Sequence, residues 1–180
     1  VESASDIVLK NMNKQATRAK FLEGTNLLNK YDIPIMVAFV LGFPGETEQT
    51  LEENRTFLQE ANADFYTLKE FYYIENTLVH EKREFFGLTG MGNTWKHSTM
   101  DSATATAHKH RMFLEIEGSI HVDPDTSLWH WIYLYDQGYS LDLVKQIQYE
   151  TNEIIKSQMS GSFDDHHPSF NKLKKLTFPP

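Results

Sequence analysis

The sequence contains no cysteine among its 180 residues. A disulfide scaffold is therefore excluded, and so is a zinc or iron–sulfur site whose thiolate ligands all come from this chain. No run of 18 consecutive apolar residues occurs, so the sequence predicts no membrane-spanning helix. The first residues lack the basic-then-apolar layout of a signal peptide, and an initiator Met is missing. We therefore expect a cytoplasmic chain that either has been cleaved at its start or is a piece of a longer protein.

Positive charge is also scarce. Lys and Arg number 17 against 25 Asp and Glu, which gives a formal net charge of -8. A negative field repels nucleic acid and anionic membrane surfaces, so we expect neither as a partner, while a local basic site stays open. The 40% hydrophobic content is enough for one domain with a substantial core.

The first half of the chain has the pattern of consecutive βα units. Nine apolar residues run from Ile33 to Leu41 without alternation, which is typical of a parallel strand covered on both faces. The aromatic stretch Asp64–Ile74 predicts a second strand, and Val1–Ala4 predicts the end of an earlier one. The strand starts recur at the length of one βα unit. The pattern therefore predicts an α/β fold with part of a parallel sheet or barrel.

Two helices are predicted around the first long strand. Thr17 is expected to cap a helix that ends near Asn29, and a second helix covers residues 46–61, with acidic residues in its first turns. In each helix, residues at helical spacing fall on one face, which is predicted to pack against the sheet. The faces contain Phe21, Leu22, Thr25 and Leu28 in the first helix, and Leu51, Asn54, Phe57, Leu58 and Ala61 in the second.

The second half is predicted to be mostly helical. Residues 84–100 contain three Gly and no clear period, which indicates a loop. Helices are expected over 101–117, capped by Asp101 or Ser98, and over 140–157, capped by Ser140. A further helix is expected between His121 and Gly138, after Pro124, and residues 159–180 are expected to form a frayed or surface-lying tail. The residues predicted to face inward are Trp129, Ile132 and Tyr133, followed by Val144, Ile147, Thr151 and Ile154.

The turn Gly42-Phe-Pro-Gly-Glu46 allows two interpretations. Gly42 and Gly45 permit close approach of a ligand or a positive φ, and Pro44 stiffens the bend between them. Glu46 can cap its own helix or accept a hydrogen bond from a ligand amine. No Gly-Lys-Ser/Thr follows, so this is not a Walker A loop. The turn either contacts a ligand at the carboxyl end of a strand or is a tight structural connection.

Four motifs, in order, resemble the second half of the core of radical S-adenosylmethionine (SAM) enzymes, and most closely their cobalamin-associated subgroup. They cover about residues 1–100. These motifs are Glu2-Ser-Ala-Ser-Asp followed by VLKNMNK, then FVLGFPGET from Phe39, YYIENTL from Tyr72, and Trp95-Lys-His-Ser-Thr-Met.

The resemblance implies the C-terminal part of a radical SAM (β/α) TIM-like barrel, followed by a helical extension. Strands four to six and their helices would occupy residues 1–83, with a loop at 84–100, the helical extension at 101–158 and a tail at 159–180. Strands four, five and six would be Val1–Ala4, Met36–Leu41 and Phe65–Tyr73.

By the same resemblance, three groups of residues would bind SAM. Polar groups near the ribose or methionine part would be Glu2, Ser3 and Ser5, and the residues beside the adenine would be Val40, Leu41, Gly42, Tyr72, Tyr73 and Ile74. Some positions depart from the family pattern. Ala4 and Ala38 stand where Gly is usual, for which we expect a tighter fit, and Tyr73 and Glu75-Asn76 replace Pro and Pro-Gly, which predicts a different loop path.

The resemblance also implies cofactors that this chain cannot hold alone. Radical SAM enzymes use a four-iron–four-sulfur cluster on three cysteines, and this chain has none. We therefore expect a fragment of an iron–sulfur oxidoreductase or methyltransferase-like enzyme. The parent protein would hold SAM and the cluster, with or without cobalamin, and no cofactor would bind the fragment. The alternative is a non-catalytic α/β barrel fragment or binding module with a structural turn. The expected partners are the missing N-terminal half and a second copy, bound through an exposed strand edge.

Histidines and aromatic residues give weaker signals. His108 and His110 lie two apart and face different sides of a helix, so no metal site is predicted. His97 and Trp95 either line a pocket or anchor a packed loop. The aromatic residues between 129 and 135 are predicted to be core or interface residues.

Overall fold

The computed structural model describes residues 1–123 and 127–177, which form two compact units that divide between residues 119 and 120. In the first unit the elements run in the order helix, helix, strand, helix, strand, two short helices, hairpin and helix. They are α1 (Asp6–Asn11), α2 (Arg18–Lys30), β1 (Met36–Leu41), α3 (Glu48–Glu60), β2 (Phe65–Glu70), α4 (Leu78–Glu81), α5 (Arg83–Phe86), β3 (Thr89–Met91), β4 (Thr94–Lys96) and α6 (Ser102–Glu115).

The centre of the first unit is a small parallel sheet. β1 and β2 run parallel with Met36 opposite Phe65 and Leu41 opposite Glu70. A parallel pair needs a crossover, which α3 supplies. The α/β class predicted from the sequence is therefore confirmed, at the level of a small parallel sheet with helices.

The caps predicted for this unit are mostly confirmed. The Thr17 side chain accepts a hydrogen bond from the Lys20 N–H at the start of α2. α3 begins one residue after Thr47, whose side chain forms a capping box with Thr50. All five residues predicted on the apolar face of the second helix are buried, namely Leu51, Asn54, Phe57, Leu58 and Ala61.

β1 differs from the prediction in the burial of its second face. Val37, Phe39 and Leu41 are buried in the core, whereas Met36 is 46% exposed and Val40 is half-buried. A continuous apolar sequence therefore does not mean burial on both faces here. Neighbouring elements cover one face of this strand, and coverage of the other face is a tertiary property that a single strand cannot encode.

Residues 1–4 also differ from the prediction, because they do not form a regular strand. Their backbone nevertheless lies beside β1, where the Val40 N–H donates to the Glu2 carbonyl at 2.9 Å. The predicted strand-four segment is thus adjacent to the predicted strand five.

Residues 84–100 are not a loop without structure. They include α5 and the antiparallel hairpin β3–β4, in which Thr89 is opposite Lys96. Gly90 has a φ of +83° and Gly92 a φ of +61° in the hairpin, while Gly87, with a φ of +62°, ends α5. The three glycines that suggested irregular chain therefore serve a helix end and a tight hairpin.

The second unit contains β5 (Ile120–His121), α7 (Ser127–Asp136), α8 (Leu141–Met159) and α9 (Pro168–Thr177). Ser140 caps α8 as predicted, through the Leu143 N–H. The segment predicted as a tail contains α9, which packs on α8 and joins it through an ion pair between Lys172 and the buried Glu150, at 2.8 Å. The predicted helix start after Pro124 lies outside the described residues.

The orientation predicted for α7 is wrong. Trp129 is 70% exposed, and Ile132 and Tyr133 are also exposed. The hydrogen bond that joins α7 to α8 comes instead from Trp131, whose indole N–H donates to Gln148 at 3.3 Å. An aromatic helix has several apolar faces, so its sequence does not select the face that packs.

Candidate site at the carboxyl ends of the strands

The carboxyl ends of β1 and β2 lie side by side. The Phe71 N–H donates to the carbonyl of Leu41, the last residue of β1, at 2.7 Å, which extends the pairing one residue past the end of β2. Tyr73 then leaves β2 and pairs with Gly92 of the hairpin turn. The two chain segments that carry most of the predicted adenine contacts therefore share one edge of the sheet.

Glu46 is fully buried beneath this edge. Its carboxylate accepts hydrogen bonds from the Gly42 N–H and, at 3.4 Å, from the Asn54 side-chain amide. Thr47, and not Glu46, caps α3. Glu46 therefore closes its own turn from inside, where no solvent or ligand reaches it in the described structure.

Burial changes the acid–base behaviour of Glu46. Loss of hydration raises the pKa of the carboxyl from 4.5 to about 7, although the hydrogen bonds from Gly42 and Asn54 oppose this rise. The charge state of this buried carboxyl is therefore set by a balance between the cost of desolvation and the gain from its two hydrogen bonds. Its charge therefore depends on pH close to neutrality.

Asn54 connects this turn to the segment at residues 3–5. Its side-chain oxygen accepts from the Ala4 N–H at 2.7 Å and lies 3.5 Å from the Ser3 hydroxyl. The Ser3 hydroxyl in turn accepts from the Ser5 N–H at 3.1 Å. Because the Ala4 N–H needs the oxygen, the NH₂ group of Asn54 must face Glu46. One buried amide thus holds two of the family-like motifs together.

Trp95 and His97 cover the last carbonyls of both strand segments. The Trp95 indole N–H donates to the Phe71 carbonyl at 2.8 Å, and His97 Nε2 lies 3.0 Å from the Gly42 carbonyl. The two rings are stacked, with 5.2 Å between centroids and 2° between planes. Both residues are buried, so they anchor a packed segment.

The protonation of His97 follows from its partners. Nε2 faces a carbonyl and must donate, while Nδ1 accepts from the Thr99 N–H at 3.3 Å. Burial lowers the pKa of His97, partly offset by the Gly42 carbonyl and the charge of Asp101. The neutral ring with the proton on Nε2 is therefore the form that this site holds.

Gly42 is required by packing. Its φ is +83°, and a methyl group in place of its hydrogen would lie 2.8 Å from Ala105 and closer still to the Trp95 ring. Its N–H faces Glu46 and its carbonyl faces His97. Gly42, which the sequence suggested as a point of ligand approach, is therefore surrounded by other groups of the protein.

Ion pairs hold α6 across α3 and the end of β2. Arg111 and His108 both contact Glu48, and Lys109 lies 3.3 Å from Glu70. Exposed pairs of this kind contribute little stability each, so they mainly fix orientation. Ala105 of α6 is thereby kept against Gly42 and the Trp95 ring.

The predicted site residues separate into buried and accessible groups. Glu2 is half-buried and pairs with Lys14 at 2.8 Å. Tyr72 is 56% exposed, Ile74 is also exposed, and Val40 is half-buried. The remaining predicted residues are buried, namely Ser3, Ser5, Leu41, Gly42 and Tyr73, and the Tyr73 hydroxyl bonds His80 at 2.9 Å.

Sequence reasoning missed the roles of Asn54 and of the carbonyl contacts of His97. An amide on an otherwise apolar helix face was a usable signal for Asn54, because a buried amide needs partners. Across residues 1–123 and 127–177, no group of three or more His, Cys, Asp or Glu is arranged to hold a metal ion. Within the same residues no helix has the length and hydropathy needed to cross a membrane.

Curated proteins match part of the chain, and no family model matches it. The tRNA-2-methylthio-N(6)-dimethylallyladenosine synthase of Ehrlichia chaffeensis is 39% identical over 64 residues, which are 34% of this chain and 14% of that enzyme. The enzyme of the same name from Petrotoga mobilis is 29% identical over 82 residues, 44% of this chain and 19% of its own length.

A methylthiotransferase named for a ribosomal protein also matches part of the chain. The ribosomal protein uS12 methylthiotransferase of Caldanaerobacter subterraneus is 41% identical over 63 residues, which are 33% of this chain and 14% of that enzyme. The chain therefore spans less than a fifth of each of these three relatives.

Proposed function

We propose that this chain is a fragment of a radical SAM enzyme and contributes part of its SAM-binding rim, in the cytoplasm. The methylthiotransferases that match part of the chain are members of that family. The observation that carries the proposal is the joining of residues 3–5 and 42–46 by Asn54, beside the carboxyl ends of a parallel strand pair. In parallel α/β folds this end of the strands is where ligands bind.

The accessible residues at this edge suit one part of SAM. Val40, Tyr72 and Ile74 present apolar side chains that are exposed or half-buried, as a flat adenine requires. The N–H and the carbonyl of Gly42 are both hydrogen-bonded within the protein, so Gly42 would contribute to SAM binding through the shape of the turn. Ser3 and Ser5 are buried and support the Glu2 segment from beneath.

The iron–sulfur cluster has no thiolate ligand in this chain. In the parent enzyme the cluster would supply the electron that cleaves SAM to a 5′-deoxyadenosyl radical. The residues of this chain would position the nucleoside and keep water from it. We therefore expect that the 180-residue chain alone does not cleave SAM.

The test compares two exposed tyrosines in the full-length protein that contains this chain. Tyr72→Ala should weaken SAM binding about tenfold, because it removes a stacking surface for the base. Tyr31→Ala is the matched control, since Tyr31 is 64% exposed and lies before β1, at the other end of the strand. Equal binding by both variants, measured by equilibrium dialysis, would contradict a rim at Tyr72.

We also propose the narrower placement in the cobalamin-associated subgroup. Its support is the resemblance of the sequence Trp95-Lys-His-Ser-Thr-Met100 to an element of that subgroup. The full-length protein should then bind cobalamin, which a visible-absorption titration measures. Full activity without any cobalamin would contradict the subgroup assignment and leave the SAM rim in place.

A second candidate function is a non-catalytic α/β module with a structural turn. This candidate is favoured because the N–H and the carbonyl of Gly42 are both hydrogen-bonded within the protein and Glu46 is buried. These contacts stabilise the turn itself. The same experiment separates the two candidates. A full-length protein that binds SAM through Tyr72 has the rim, and one that binds no SAM has only the turn.

The backbone edge at residues 1–4 leads us to propose self-association of the isolated chain. These residues receive a hydrogen bond from Val40 on one side, and an open edge is a template for another strand. Light scattering after size-exclusion chromatography should show a dimer at micromolar concentration. A monomer across that range would contradict the proposal.

A further inference from the structure

We infer that Trp95 and His97 act as positioning residues that hold the ends of the two strands at one fixed spacing. The inference rests on the proposed function only where it calls this edge a nucleoside rim, because the contacts themselves belong to the protein. It assigns a role to the Trp95–Met100 element, which the proposed binding surface does not include.

The first step is that the terminal carbonyls need donors. At the end of a parallel strand pair the carbonyls past the last ladder bond have no strand partner, and a buried carbonyl without a donor is costly. Phe71 and Gly42 occupy these positions, and both are buried. Trp95 supplies the donor for the first and His97 for the second.

The second step is that the two donors form one rigid body. They belong to the same hairpin strand and its continuation, and their rings are parallel at 5.2 Å. The Trp95 ring also packs edge-on against Phe71, with 5.4 Å between centroids. A change in the distance between the strand ends would therefore break at least one of the two hydrogen bonds.

The third step is that the held segments lead directly to accessible residues. Gly42 follows Val40 by two positions, and Phe71 precedes Tyr72 by one. The placement of Val40 and Tyr72 relative to each other is thus set by groups that Trp95 and His97 hold. Neither Trp95 nor His97 is exposed enough to touch a ligand itself, since each is 3% exposed.

The experiment measures amide hydrogen exchange by NMR in the 180-residue chain. His97→Ala removes the donor to the Gly42 carbonyl, so the strand ends should open locally more often. The Gly42 and Phe71 amides, which donate to Glu46 and to the Leu41 carbonyl, should then exchange about fivefold to tenfold faster, which corresponds to the stabilisation by one hydrogen bond. The reference is the Phe65 amide, which donates to Ile35 at 3.0 Å at the other end of the same strand pair. Exchange at Gly42 and Phe71 should be insensitive to urea, because local opening exposes little surface.

Two further variants separate positioning from general stability. His97→Gln keeps a donor near the Nε2 position and should restore the slow exchange, while Trp95→Phe keeps an aromatic ring but loses the N–H and should affect Phe71 most. His110→Ala, an exposed histidine of α6, is the control and should change nothing. Equal changes at Gly42, Phe71 and Phe65, or no rescue by glutamine, would overturn the inference.

The outcome is independent of the proposed function. If the exchange pattern is as expected and the full-length protein binds no SAM, the function fails and the positioning role stands. If SAM binds through Tyr72 but the exchange pattern is uniform, the positioning role fails and the function stands.

Discussion

Replacing Glu46 by Gln should change how the stability of the protein depends on pH. Glu46 is fully buried, and burial raises the pKa of its carboxyl from 4.5 to about 7. In the folded protein the group therefore keeps its proton up to about pH 7, whereas the unfolded chain releases it from about pH 4.5. Folding is favoured by this group at low pH, and that contribution is lost as the pH rises toward 7.

The magnitude follows from the size of the pKa difference. At about 1.4 kcal/mol for each pH unit, a rise from 4.5 to about 7 corresponds to about 3 kcal/mol. Gln at position 46 does not titrate, so the stability of the variant relative to the natural protein should rise by about this amount between pH 4.5 and about pH 8. The fixed cost of placing an amide opposite Asn54 cancels in that comparison.

Urea unfolding followed by circular dichroism at several pH values measures the difference. The other titrating groups, including His97, are present in both proteins and largely cancel. Glu52→Gln is the control for the loss of a surface carboxylate, because Glu52 lies exposed on α3, the helix that follows the Glu46 turn. A constant stability difference between Glu46→Gln and the natural protein across the range would refute the reasoning.

Three substitutions test the packing around the turn, each by thermal or urea unfolding. Asn54→Ala should destabilise by about 3 kcal/mol, since it leaves the buried Ala4 N–H and the Glu46 carboxyl without their amide partner; a loss below 1 kcal/mol would contradict this. Gly42→Ala should cost about 2 kcal/mol or more because of its φ of +83° and the Trp95 ring, and unchanged stability would show that the turn adapts. Gly24→Ala should instead stabilise by about 0.5–1 kcal/mol, because a methyl group there meets no atom within 4 Å in α2, and a loss would reveal an unseen contact.

Local patterns were sufficient for β1, β2 and most of the longer helices of this chain. Thr17, Asp101 and Ser140 cap helices where the sequence placed them, because a capping side chain bonds to an amide only a few residues away. Met36–Leu41 is a strand with the bounds that the resemblance implied. The hairpin within 84–100 was missed, since its glycines at positive φ look the same in sequence as a loop.

The sequence predicted the position of the helices and strands better than it predicted which face of each one is buried. The apolar face of α3 was correct because it is a single face, with acidic and polar residues around the rest of the helix. β1 and α7 are apolar on more than one side, so their sequences cannot say which side a neighbour covers. Trp129 and Met36 are exposed for this reason, although both are large and apolar.

The chain order of Gly42, Glu46 and the following helix already required a tight turn at the end of a strand, because these contacts span a few residues. The chemistry of that turn was decided by residues that arrive from far along the chain. Asn54 meets Ala4 across 50 positions and His97 meets Gly42 across 55. Only the packed fold brings such groups together. Burial then raises the pKa of Glu46 and lowers that of His97, and the residues next to each side chain in the sequence do not determine that burial.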